Sequence, residues 1–124
     1  MTIAFGCILA AMFIPLTLVG YAKIGAGGYD NRNPREFVGN LTGKFKRAVH
    51  AQQNAYEAFA PFAAAVIVAY VAGAPQSQAD ILAVLFIVFR IIYSVFYIID
   101  QHWLRTLAWF AAFSCIIGLF LISL

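Results

Sequence analysis

Four long apolar stretches, roughly Ile3–Ala22, Phe45–Ala72, Ile81–Ile99 and Trp103–Ser123, leave this chain few ways to fold. A helix needs about 20 mostly apolar residues to cross a hydrocarbon core about 30 Å thick. Three stretches match that length; the second is longer and is expected to protrude by about two turns. In hydrocarbon every backbone N–H and C=O must be satisfied internally, which a helix does within one segment. Composition excludes the soluble alternative. A 124-residue chain that is 64% hydrophobic and 10% charged, with a mean hydropathy of +0.87, has no interior large enough to hide that apolar surface. The expectation is an all-α integral membrane protein, one domain over residues 1–124, folded as an up-down bundle of four helices joined by short connections.

The connections orient it. The first, Lys23–Lys44, holds Gly25, Gly27 and Gly28 followed by Asn31-Arg32-Asn33-Pro34-Arg35, and reads as a loop. The second, Gly73–Asp80, carries no basic residue, and the third is the short Asp100-Gln101-His102. Of the eight Lys and Arg, Lys23, Arg32, Arg35, Lys44, Lys46 and Arg47 lie in or beside the first connection. By the positive-inside rule the first and third connections face the cytosol, and both termini and the second connection lie opposite. A formal charge of +3, spread this way, is a topology signal and does not suggest nucleic acid.

Several local patterns carry no function. Cys7 and Cys115 sit inside apolar runs and read as small buried side chains. The first stretch lacks a basic n-region and is too long for the core of a signal peptide. Gly25–Gly28 lacks the Lys-Ser/Thr of a phosphate loop. Asn40-Leu41-Thr42 matches a glycosylation sequon, but on the cytosolic side it has no meaning.

Two polar stripes do carry chemistry. At about 100° per residue, Arg47, His50, Asn54, Glu57 and Pro61 share an arc of roughly 80° on the second helix. A carboxylate facing lipid at depth costs a few kcal/mol, so the stripe is expected to face other helices or a wet cavity near the cytosolic boundary. Pro61 lacks an N–H, which frees the Glu57 carbonyl and favours a bend. On the third helix Arg90, Tyr93, Tyr97 and Asp100 form a similar arc. Arg90 is the deeper of the charged residues and is expected to reach towards the cytosol or pair with Glu57. Arg105 falls in the first turn of the fourth helix, where a cation opposes the helix dipole. It can anchor on lipid phosphate, or serve an anion together with the helix N-terminus. From spacing alone the stripes are equally readable as glue between helices or as a site.

The run Arg47-Ala48-Val49-His50-Ala51-Gln52-Gln53-Asn54-Ala55-Tyr56-Glu57, followed by Pro61-Phe62, resembles the second-helix motif of the MAPEG family, the membrane-associated proteins of eicosanoid and glutathione metabolism. Arg90-Ile91-Ile92-Tyr93-Ser94-Val95-Phe96-Tyr97 and Leu104-Arg105 are similar to its third helix and the start of its fourth. The resemblance covers nearly the whole chain and is nearest to the prokaryotic branch, which implies a bacterial plasma membrane. It implies a homotrimer with glutathione between adjacent protomers near the cytosolic face. Asn54 and Glu57 then match glutathione-holding positions. Arg90, Tyr93 and Tyr97 match a glutathione-contacting arginine and two ring-bearing positions, and Arg105 matches the thiolate-stabilising arginine. One position departs: His50 stands where glutathione-using members carry arginine. Histidine cannot make a bidentate clamp on a carboxylate: either Arg47, on the same stripe, substitutes, or glutathione binds weakly or the site serves another molecule.

The implied activity is a transferase or peroxidase in which the glutathione sulfur attacks a lipophilic electrophile that enters from lipid. A cation and a helix N-terminus both lower a thiol's pKa. The rival classes are a non-catalytic module whose stripes lock a trimer, and a small transporter or proton relay using Glu57, His50 and Arg90.

Overall fold

A computed structural model describes residues 1–124 as five helices and no strands: α1 (Ile3–Ala26), α2 (Pro34–Gly39), α3 (Gly43–Val71), α4 (Gln76–Ile98) and α5 (His102–Ile122). All but α2 are long and apolar enough to cross a membrane. The expected all-α architecture stands, with shifted boundaries. α1 continues past Ala22 and carries Lys23 in its last turn. α4 starts at Gln76 rather than Ile81: the Ala79 N–H donates to the Pro75 carbonyl at 3.1 Å, and polar residues are tolerated at the end of a span. The first connection, expected as loop, contains α2, opened by Asn33 and Pro34. Proline just inside a helix start costs no hydrogen bond, since that N–H has no intrahelical partner.

Consecutive spans run antiparallel. α1 packs along α3 and α4 along α5, while α3 also touches α4 and α5, and α1 touches α4. The main core, between Ala4 and Leu119, is built largely from alanines together with Phe62 and Phe86. Small residues let helices approach closely where there is no hydrophobic drive between them, and dispersion then supplies the attraction. Phe62 and Phe86 fill the centre as a parallel stack at 3.9 Å, joining α3 to α4. Gly118 of α5 lies tight against Leu82 of α4: a Cβ there would meet the Leu82 methyls at 3.2 Å.

Side chains finish the helix ends. Thr2 Oγ1 accepts from the Phe5 N–H at 3.0 Å, and Asp80 Oδ1, on α4, accepts from the Ala4 N–H at 2.9 Å. A carboxylate at the start of α1 is favoured by the helix dipole and ties the first span to the third. The α3–α4 turn uses Gly73 at φ 73°. The α4–α5 turn puts Asp100 at φ 64°, with the Gln101 N–H donating back to the Phe96 carbonyl at 2.9 Å. This left-handed helix stop corrects the expectation that Asp100 extends the polar arc of α4. Once the chain leaves helical dihedrals the 100° period no longer applies.

Candidate functional site

The polar residues collect at the end of the bundle where α4 stops and α5 begins. α3 runs unbroken through Pro61 and presents Asn54 towards α4. Arg90 of α4 is buried, only 2% exposed, and its Nη2 donates to Asn54 Oδ1 at 2.6 Å. Its guanidinium also lies over the Tyr93 ring, 4.2 Å from the centroid. The hydrogen bond thus goes to Asn54 rather than to Glu57, the partner expected from the shared stripe. Asn54 and Glu57 lie within one turn of each other, so the choice rests on how closely α3 and α4 pack at that level. Glu57 remains exposed and lines a neighbouring cavity.

Tyr93 continues the cluster. Its ring meets Tyr97 edge to face at 5.7 Å, and the Arg105 guanidinium lies over Tyr97 at 4.3 Å. Two cations from different helices are therefore seated on two adjoining tyrosine faces. Such a contact is worth about 0.5–2 kcal/mol and holds the charge without neutralising it. Neither ring contact nor the Asn54 amide supplies a negative charge, and no acidic residue lines the cavity that holds Arg105, so the Arg105 end of the cluster is suited to an anion while Glu57 lies on the Arg90 side.

Two cavities open here. One, of about 390 Å³, is lined by Asn54, Tyr93, Tyr97, Arg105, Thr106, Trp109 and Phe110. The other, of about 250 Å³, runs between α3, α4 and α5, with Asn54, Glu57 and Arg90 in its wall beside Pro61, Phe86, Trp109 and Phe113. Asn54 and Trp109 line both. Trp109 stacks on Phe113 at 5.2 Å, so an aromatic pair stands at the wall between the two cavities.

The structure thus brings together Asn54, Arg90, Tyr93, Tyr97 and Arg105, with Glu57 beside them. His50 adjoins through its ring, 6.3 Å from Tyr97, and is exposed. Arg47 is directed elsewhere: its Nε donates to the Ile98 carbonyl at 3.0 Å and so caps the end of α4. Trp109 was not among the residues singled out from the sequence. Its signal was present, since it stands four residues after Arg105 on the same face of α5.

The MAPEG family model matches residues 1–124, the whole chain. The chain belongs to the MAPEG family. No curated protein and no solved structure matches it. Arg90 is hydrogen-bonded to Asn54, and the departure at His50 coincides with an Arg47 that is tied to the backbone of α4.

Proposed function

We propose that this MAPEG protein is a glutathione-dependent transferase or peroxidase acting on a lipophilic electrophile. The observation that carries the reading is the paired placement of Arg90 and Arg105 on Tyr93 and Tyr97, with Arg105 and both tyrosines lining one cavity. Glutathione supplies the nucleophilic sulfur. Arg105 holds negative charge at the mouth of the larger cavity, where the N-terminal turn of α5 adds partial positive charge. Asn54 has its oxygen engaged by Arg90, which leaves its amide N–H groups as donors. Glu57 is an acceptor for an ammonium group. The smaller cavity has a polar side at Asn54, Glu57 and Arg90, which faces glutathione, and an apolar side at Phe86, Trp109 and Phe113, which is the seat for the electrophile, next to the sulfur and reached from lipid.

The same reading includes a homotrimer. Glu57 is exposed on the outside of a membrane-spanning helix. In lipid that costs a few kcal/mol, and a second copy of the chain would remove the cost by covering it. It also includes a cytosolic site, because the basic residues of the first connection lie at the same end of the bundle as Arg105. A bacterial plasma membrane is the setting that fits the prokaryotic resemblance.

A specific observation favours a second reading. Arg90 is buried and occupied by Asn54 and Tyr93, as a helix-locking residue would be. Arg105 separates the two readings, because it is only partly buried and faces a cavity. Purified protein in detergent is titrated with glutathione while thiolate absorbance is followed. Wild type should show bound thiolate near neutral pH, and Arg105→Ala should lose it together with any conjugation or peroxidase rate. Arg105→Lys should recover part, since it keeps the charge without the planar fork. Unchanged thiolate absorbance and rate in Arg105→Ala would leave Arg105 as a lipid-phosphate anchor and favour the non-catalytic module.

A further inference from the structure

The apolar side of the smaller cavity is lined by aromatic rings from two helices, Phe86 from α4 and Trp109 and Phe113 from α5. Phe86 is 2% exposed and lies parallel to the fully buried Phe62, with 3.9 Å between centroids and 6° between planes. Its plane is therefore set by the packing of the core. Trp109 and Phe113, one turn apart on α5, are parallel as well, at 5.2 Å and 6°. Ala58 of α3 and Ala112 of α5 line the same cavity, and their small side chains leave its space open. Burying Phe86 and Phe62 explains one stack as core; it does not explain why flat faces from two helices border one unfilled space.

Volume and length narrow the ligand. An apolar cavity of about 150 Å³ holds one benzene, and drug-sized ligands take about 300 Å³ or more. This cavity has about 250 Å³, its polar side included, so a single ring with its substituents fits whole. Along α5 the lining runs from Trp109 to Ile116, about 10 Å at 1.5 Å per residue. A long chain entering from lipid would place only its tip in that length, and a reactive group in mid-chain would stay away from the sulfur. An aromatic ring also gains from stacked or edge-on contact with the lining rings, beyond what an alkyl chain of equal area gains. We propose, on the basis of the glutathione reading above, that the electrophile is a single-ring aromatic compound seated against Phe86, Trp109 and Phe113. With an aryl halide the thiolate sulfur bonds to the ring carbon that bears the halogen. The halide leaves with the electron pair of the broken bond, and the thiol proton has already passed to water.

The test reads binding apart from catalysis. The chain has two tryptophans, so Trp103→Phe leaves Trp109 alone, and nitrobenzene quenches indole fluorescence on contact. The Trp103→Phe protein in phosphatidylcholine nanodiscs should show saturable quenching by nitrobenzene. Benzene should relieve it about two- to tenfold better than hexane at equal concentration in the lipid, the range expected for one favourable aromatic pair. Phe113→Leu keeps an apolar side chain at a position that is 43% exposed, and should weaken nitrobenzene binding by about the same factor. Quenching that rises with nitrobenzene without saturating is partition into lipid and would overturn the slot. Equal relief by benzene and hexane would overturn it too, and so would Phe113→Leu binding as tightly as its parent. The two readings fail separately. Bound thiolate in wild type with unsaturable quenching removes the aromatic slot and keeps glutathione. Saturable quenching with no bound thiolate removes the glutathione reading, and the substrate class with it.

Discussion

Asn54 and Arg90 form the one hydrogen bond between side chains of α3 and α4 at the site, and it is short. A guanidinium that is 2% exposed has little access to water, so its partner matters more than an average hydrogen bond does. Asn54→Leu should therefore destabilise the protein by about 2–3 kcal/mol, the cost of leaving a buried charged donor without its acceptor. Adding Arg90→Met should return most of that loss, because the uncompensated charge is then gone. Thermal unfolding in detergent measures both. Strictly additive losses would mean that the two side chains stand together without stabilising one another. The double variant also divides the functional readings: a ligand site loses glutathione binding in a folded protein, while a purely structural pair has no glutathione binding to lose.

Among the elements, α4 is held at both ends by residues of other helices. Asp80 at its start accepts from the first turn of α1, and Arg47 of α3 donates to the Ile98 carbonyl at its last turn. The second link acts next to Tyr97, on which Arg105 rests. Arg47 is thus a positioning residue for the cluster, acting through the backbone of α4. Replacing Arg47 with Met should cost about 1 kcal/mol of stability, the usual worth of one hydrogen bond. It should also speed amide exchange around Ile99–Gln101 and weaken thiolate stabilisation by Arg105 without removing it. Exchange rates at the α4 end that match wild type would remove Arg47 from this role.

For the whole molecule, the chain exposes Glu57 and Gln53 on a membrane-spanning helix, and it gathers most of its cations at one end. The first feature predicts association. Native mass spectrometry in mild detergent should show a trimer, and a monomer alone at all protein concentrations would contradict it. The second predicts orientation. Cysteines introduced at Asn33 and Gln76 should be labelled from opposite sides of the membrane, with Asn33 cytosolic. Labelling of both from one side would reverse the assignment and move the proposed site with it.

The sequence by itself determined the four spans, their antiparallel order and the end of the bundle where polar chemistry collects. These depend on hydrophobic length and on the helical period, both local properties of the chain. It also placed Asn54 and Glu57 on one stripe of α3 and Arg90, Tyr93 and Tyr97 on one stripe of α4, because positions three and four apart share a face. Partner choice between helices was not legible. Arg90 meets Asn54 rather than Glu57, Arg47 turns to the Ile98 carbonyl, and Trp109 joins two cavities, and each of these depends on how neighbouring helices rotate and approach. The short α2 was hidden among glycine, asparagine and proline, which read locally as loop. Asp100 was assigned to a helical arc although it takes the left-handed turn, a position that asparagine and aspartate tolerate better than most residues do. Periodicity gives each helix its faces, and only packing in three dimensions decides which faces and side chains meet.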